Sequence, residues 1–284
     1  MFFSRPKQPS DEQIQQLTQL FAQGQLDKLI AQADELVRRF PQAAQLHNIL
    51  SVAYSATGDF HAAADSAERA IRIQPDFAKA LVNLGNALAN LGENKQALES
   101  YRQAVLVAPE MAEAHNNLGA FLVRLDRNEE AVECFRMALE IHPGYIKALN
   151  NLGCAQLALG RNDDAIACFE EVLELKPDYA EACNNLGGAL RDAGRKQEAV
   201  ASFYRAIDFN PRYAEAYRQL ADLLSFTDDE PLYAEMQALL EDGELSDTQR
   251  MHLSFALAKA EEDLGEYELA FRYLQQGNRL RKVL

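Results

Sequence analysis

The 284-residue sequence predicts an all-α solenoid of paired helices, and three observations carry that expectation. Prolines stand at Pro41, Pro75, Pro109, Pro143, Pro177 and Pro211, six in succession at intervals of 34. Small and aromatic residues keep the same register: Gly85, Gly119, Gly153 and Gly187 share one column, and Tyr101, Phe135, Phe169 and Phe203 share another. Within each half-repeat, apolar residues recur three and four apart, as in Leu81, Leu84 and Leu88 or Val132, Phe135 and Leu139. That spacing makes a helical stripe and not a strand alternation.

Taken in order, residues 1–9 are an N-terminal extension and 10–43 a divergent first repeat, with Gly24 kept but Leu29 and Leu36 where alanines are expected. Regular repeats follow at 44–77, 78–111, 112–145, 146–179 and 180–213. Each needs small residues where two helices press together, which Ala63, Ala97, Ala131, Ala165 and Ala199 supply, followed by Ala70, Ala104, Ala138 and Ala206. Val172 is the exception in the second set. Gly58, Gly92, Gly160 and Gly194 stand at the turn between the helices, where a left-handed residue ends the first one. The column proline closes the second helix, and Asp76 and Asp178 behind it are expected to N-cap the next. A divergent seventh repeat, 214–250, starts normally at Ala214, loses its proline and gains three residues around Asp242 to Ser246. The eighth, 251–284, returns to frame with Leu257, Gly265, Tyr267 and Ala270, its helices expected near 247–264 and 266–281.

The recurring Leu-Gly, Ala, aromatic, Ala and Pro at this period resemble the tetratricopeptide repeat (TPR) family. The resemblance implies a right-handed α-solenoid superhelix of about eight helix-turn-helix repeats whose first helices line an inner wall. Tryptophan, frequent in that family at the fourth position, is replaced here by Leu81, His115, Leu149 and Cys183.

Function is therefore expected on the first helices. Their sixth position reads Asn83, Asn117, Asn151 and Asn185, and their fifth adds Asn116, Asn150 and Asn184. An amide offers two donors and an acceptor, so a row of them can pair with an extended peptide backbone with little regard to its sequence. The row is similar to the asparagine ladder of the repeat domain in O-linked N-acetylglucosamine transferases, which implies a hold on substrate backbone. The alternative is that these amides bond only to neighbouring helix ends. Asn86, Asn117 and Lys147 match the carboxylate clamp of chaperone-binding repeats, but Val82 and Asn151 occupy the places of two required cations, which argues against a clamp. Lys79, Arg124 and Lys147 add positive points to the lining.

Composition narrows the partner. The chain is 48% hydrophobic and 25% charged, enough to fold, and 43 acidic against 28 basic residues leave a net charge of −15. That excess disfavours nucleic acid and anionic membrane, both of which need Lys and Arg in surplus. No signal-peptide core or bilayer-length apolar run is present, so a cytoplasmic protein is expected. Cys134, Cys154, Cys168 and Cys183 lack metal-ligand spacing, and the five histidines are dispersed, so no cofactor, metal or catalytic residue is expected.

The end of the chain, Leu280 to Leu284, is apolar where a solenoid needs a polar cap, which predicts that the natural protein continues. Arg279, Arg281 and Lys282 complementing the helix dipole are the alternative. Residues 253–260, 262–267 and 277–282 resemble the last helices of bacterial proteins in which such repeats precede a sulfotransferase domain. Three functions stay open: a scaffold holding an extended partner segment, the substrate-recognition region of a larger sulfotransferase or glycosyltransferase, and a self-assembling structural solenoid.

Overall fold

The computed structural model describes residues 8–227 and 231–283. Most of the expected N-terminal extension, a short part of the seventh repeat and Leu284 lie outside the described residues. Sixteen α-helices and no strands occur among those described. The first eight are α1 (Asp11–Ala22), α2 (Leu26–Arg39), α3 (Ala44–Thr57), α4 (Phe60–Ile73), α5 (Ala78–Asn90), α6 (Asn94–Val107), α7 (Ala112–Arg124) and α8 (Asn128–Ile141). Then come α9 (Ile146–Ala158), α10 (Asn162–Leu175), α11 (Ala180–Asp192), α12 (Lys196–Phe209), α13 (Ala214–Ala221), α14 (Pro231–Glu241), α15 (Asp247–Leu264) and α16 (Tyr267–Arg281). The chain divides into two compact units, Met1–Ala148 and Leu149–Leu284.

In the first unit the helices pack as consecutive hairpins. Short turns make them possible: Gly24, Gly58 and Gly92 take positive φ at the end of the first helix, and Asp126 takes the same conformation at φ 57° where the column has no glycine. Each glycine of the Leu-Gly column faces the aromatic ring of its own hairpin. A Cβ on Gly85 would lie 2.8 Å from the Tyr101 ring, and one on Gly119 2.7 Å from Phe135. The glycine is therefore a space requirement of the buried ring. Ala63, Ala64 and Ala87 form one small core cluster, and Ala44, Ala70 and Ala80 another, so alanine columns of neighbouring repeats meet. The divergent first repeat fills its interior with Leu17, Leu29 and Leu36 against Leu46 and Leu50 of α3.

The column prolines lie in the turns after the second helices. In each turn an N–H closes back across the proline, as from Phe77 to the Gln74 carbonyl at 3.1 Å and from Tyr213 to the Asn210 carbonyl at 2.9 Å. That is where a proline suits a tight turn, its φ already set. The N-cap consequently falls one residue later than the sequence predicts. Phe77 and Tyr179 occupy it without a side-chain bond, so Asp76 and Asp178 do not cap.

The second unit repeats the hairpin through α12 and then departs from it. A Cβ on Gly153 would stand 2.6 Å from Phe169, and one on Gly187 2.7 Å from Phe203. Helix α13 has only 8 residues, and it packs directly on α15. The segment before α15 is pinned by Arg212, which pairs with Asp242 at 2.6 Å and Glu244 at 3.1 Å. On the other side, the Phe226 N–H donates to Asp263 at 3.1 Å. Ser246 and Gln249 form a capping box that starts α15. The last two helices lie within a residue of the ranges expected from sequence.

Candidate functional site

Which face is inner follows from helix contacts within each unit. In the first, α3 packs against α5 and α5 against α7, whereas successive second helices α4, α6 and α8 make no comparable contact among the described residues. In the second, α11 touches α13 in the same way, and α10 and α12 do not approach each other comparably. Closer first helices put that side on the inside of the local curve.

On this face in the first unit, Asn83 of α5 is half-buried and its Nδ2 donates to Oδ1 of Asn48 on α3 at 2.9 Å. Asn86 accepts a bond from the Tyr101 hydroxyl at 2.7 Å, a second-helix side chain reaching between the helices. Burial pushes that phenol up to about 12, so it remains a donor at neutral pH. On α7, Asn116 is buried and donates to Asn117 at 3.4 Å, while Asn117 stays half-exposed. Arg124 donates from Nη2 to the Ala89 carbonyl at 3.1 Å and lies 5.7 Å from the Phe121 ring centroid. It satisfies a carbonyl at the end of α5, which leaves less of its fork for a ligand. Lys79 and Lys147 are exposed.

The second unit repeats the amide arrangement. Asn185 donates to Asn150 at 3.2 Å, with the Cys154 sulfur 3.5 Å away. Asn150 donates in turn to Glu181 at 3.0 Å, and the Tyr179 hydroxyl donates to the same carboxylate at 3.0 Å. Burial, with the Glu181 bond and charge adding to it, raises the Tyr179 phenol to about 12. Asn151 is half-exposed, and Asn184 is buried with its Oδ1 unpartnered.

The seven sixth- and fifth-position asparagines therefore separate by depth. Asn116, Asn150 and Asn184 are buried, which removes them from contact with a ligand lying on the wall. Asn83, Asn117, Asn151 and Asn185 remain half-exposed. Two of these, Asn83 and Asn185, each spend one donor on an asparagine 35 residues back, one repeat and one position away. Asn83 keeps its second Nδ2 hydrogen for another partner, whereas Asn185 turns the same nitrogen to the Cys154 sulfur as well; both keep Oδ1 lone pairs. Sequence reading missed Asn48, Tyr179 and Glu181. The 35-residue offset between Asn48 and Asn83 was the available signal, hidden by comparing positions only at 34.

Burial pushes the Cys134 and Cys154 thiols up to about 11, which holds them protonated at neutral pH. No group of three His, Cys, Asp or Glu side chains suited to a metal gathers among the described residues, and none of the described helices is long and apolar enough to cross a membrane. A cavity of about 550 Å³ lies elsewhere in the second unit, lined by Ile207, Tyr217, Glu235, Leu239 and Asp242 among others.

The family model of the Cilia and flagella-associated protein 70 middle TPR-like domain matches residues 81–225, and a tetratricopeptide repeat model matches residues 16–78. Among solved structures, a chain of the APC/C hetero-tetramer Cut9-Hcn1 is similar at 21% identity and a TM-score of 0.65, covering 85% of this chain and 48% of that one. TTC0263, a thermophilic TPR protein of Thermus thermophilus, matches at 26% identity and 0.53, covering 64% of this chain and 98% of its own. YrrB, described as a TPR protein with an unusual peptide-binding site, matches at 21% and 0.53, covering 65% and 95%. No curated protein matches the chain.

Proposed function

The chain belongs to the tetratricopeptide-repeat family, and from that premise we propose that it is a non-catalytic scaffold holding an extended segment of another polypeptide along its first helices. The observation that carries this reading is the recurrence of a half-exposed asparagine on α5, α7, α9 and α11. An extended strand presents an N–H and a carbonyl to one side at every second residue, and a half-exposed amide can pair with either. The peptide-binding site of YrrB, a protein of the same architecture, supports the assignment. Arg124 ties α7 to α5 in the first unit and Asn150 ties α9 to α11 in the second, so recognition rests on Asn83 and Asn117 in the one and on Asn151 and Asn185 in the other, with Lys79 and Lys147 exposed for charge contacts.

The test is an affinity comparison. A peptide selected from a random display library on the wild-type chain is measured by fluorescence anisotropy against an Asn117→Ala/Asn151→Ala double variant. Loss of two hydrogen bonds is expected to weaken binding about tenfold or more, with helical content unchanged. Equal affinity in a folded variant would reject the reading. Asn117→Ala also removes the bond from Asn116 and Asn185→Ala the bond to Asn150, so helical content is measured for every variant.

A further inference from the structure

One face of α14 looks onto open space. Glu235, Ala238 and Leu239, with Asp242 just past the helix end, recur at i, i+3, i+4 and i+7, the spacing of a packed stripe. Here that stripe lines the cavity of about 550 Å³, together with Ile207 and Asp208 of α12, Pro211 of the following turn and Tyr217 of α13. The sequence explains the gap. Residues 34 after Ala199, Phe203 and Ala206 are Tyr233, Gln237 and Leu240, so α14 lacks the small residues and the ring that seat a second helix in the regular repeats. It packs on α15 instead. Helices α15 and α16 follow in sequence and contribute nothing to the lining, so the space does not arise from the end of the chain. Its volume lies in the range of about 300–1,000 Å³ that ligand pockets occupy.

The cavity is apolar at its floor and anionic at its rim. Ile207 and Tyr217 are buried, whereas Asp208 and Glu235 are exposed. Tyr217 joins the two parts: burial, then the charge of Glu235 and a hydrogen bond to it, then the charge of Asp208, push its phenol up to about 12. Asp242 is already answered, by Arg212 at 2.6 Å and by the Glu244 N–H at 3.0 Å. Asp208 and Glu235 take part in no ion pair among the described residues. A metal ion suits this lining poorly, because no metal-ligating group of three gathers among the described residues and a hydrated ion has no use for Ile207, Pro211 and Leu239. An arginine side chain uses both parts, its methylenes on the apolar floor and its weakly hydrated, forked head on carboxylates. Arg212, whose fork serves Asp242 and Glu244, is the precedent within the chain. A second copy carries the same net charge of −15 and is repelled.

We propose that the cavity between α12, α13 and α14 takes an arginine side chain of a partner polypeptide, with its stem against Ile207, Pro211 and Leu239 and its guanidinium at Asp208 and Glu235. Charge complementarity supplies the selection and burial of the stem supplies the hold. The site is built from residues other than the wall asparagines and does not depend on them.

The probe is the blocked peptide Gly-Ala-Arg-Ala-Gly, titrated into the labelled chain and followed by the backbone amide resonances of Ala238 and Leu239. A second peptide carries citrulline for arginine, which keeps the shape and removes the charge. The wild-type chain is expected to bind the arginine peptide saturably and the citrulline peptide at least about tenfold more weakly at low salt. Asp208→Asn/Glu235→Gln is expected to lose about tenfold or more in affinity for the arginine peptide. Its circular dichroism and unfolding midpoint should match the wild type, because both carboxylates are exposed and a glutamine carbonyl still accepts the Tyr217 hydroxyl. The groove variant Asn117→Ala/Asn151→Ala is expected to bind the arginine peptide as the wild type does, which separates this site from the wall. Absence of wild-type binding, equal affinity for the citrulline peptide, or an isotherm indifferent to Asp208→Asn/Glu235→Gln would overturn the proposal. So would spermidine binding there more tightly than the arginine peptide, or self-association that the double variant abolishes, since a polyamine or a second copy would then be the occupant.

Discussion

Two adjacent glycines show how local the determinants are. A Cβ on Gly187 would sit 2.7 to 2.9 Å from ring atoms of Phe203, which is completely buried and has no room to yield, while one on Gly188 meets nothing within 4 Å. Gly187→Ala is expected to cost about 1–3 kcal/mol through overpacking, and Gly188→Ala to gain up to about 1 kcal/mol by removing helix-interior glycine entropy. Urea midpoints of the two variants should move in opposite directions, and parallel shifts would refute the ring-contact explanation. The thiols give a pH dependence at the same scale. Cys134 and Cys154 ionise near 9.0 unperturbed and near 11 in the fold, so the folded state holds more protons across that interval. Stability contributed by the neutral thiols is complete below pH 9 and declines as pH rises toward 11. Urea midpoints between those values should fall, and Cys134→Ala/Cys154→Ala should flatten the slope.

At the scale of elements, glycine made the turns of the regular repeats legible except in the α7–α8 hairpin. Gly58, Gly92, Gly160 and Gly194 all take positive φ, and Asp126 fills the equivalent place at φ 57°. Nothing in a column of glycines announces an aspartate in the left-handed region, though Asp is among the few residues that tolerate it. Asp126→Gly is expected to stabilise by up to about 1 kcal/mol and Gly160→Ala to destabilise by about 1–2 kcal/mol, measured by chemical unfolding. If Asp126→Gly destabilised instead, the bond its carboxylate accepts from Asn128 at 3.1 Å would outweigh the backbone strain. Helix boundaries followed the 3.6-residue stripe closely, including α15 and α16 beyond the inserted residues. The N-caps did not, because the proline turn closes through backbone bonds and leaves Asp76 and Asp178 no capping task.

For the molecule as a whole, the repeat period made the architecture readable, since one hairpin that cannot bury its faces alone demands neighbours. The candidate wall was readable only in part. A sequence column treats its members as equivalent, yet depth divides Asn116, Asn150 and Asn184 from Asn117, Asn151 and Asn185, adjacent residues about 100° apart around a helix. Bonds such as Asn83 to Asn48 and Asn185 to Asn150 connect repeats within each unit, so the half-exposed amides both tie neighbouring first helices and line the inner face.

The most direct measurement of the central claim is a side-chain amide NMR titration of the labelled chain with a selected peptide. The account predicts that the NH₂ resonances of Asn83, Asn117, Asn151 and Asn185 shift saturably together, while those of Asn90 and Asn128 stay in place. Shifts confined to second-helix residues, with the four wall asparagines unmoved at saturation, would contradict it.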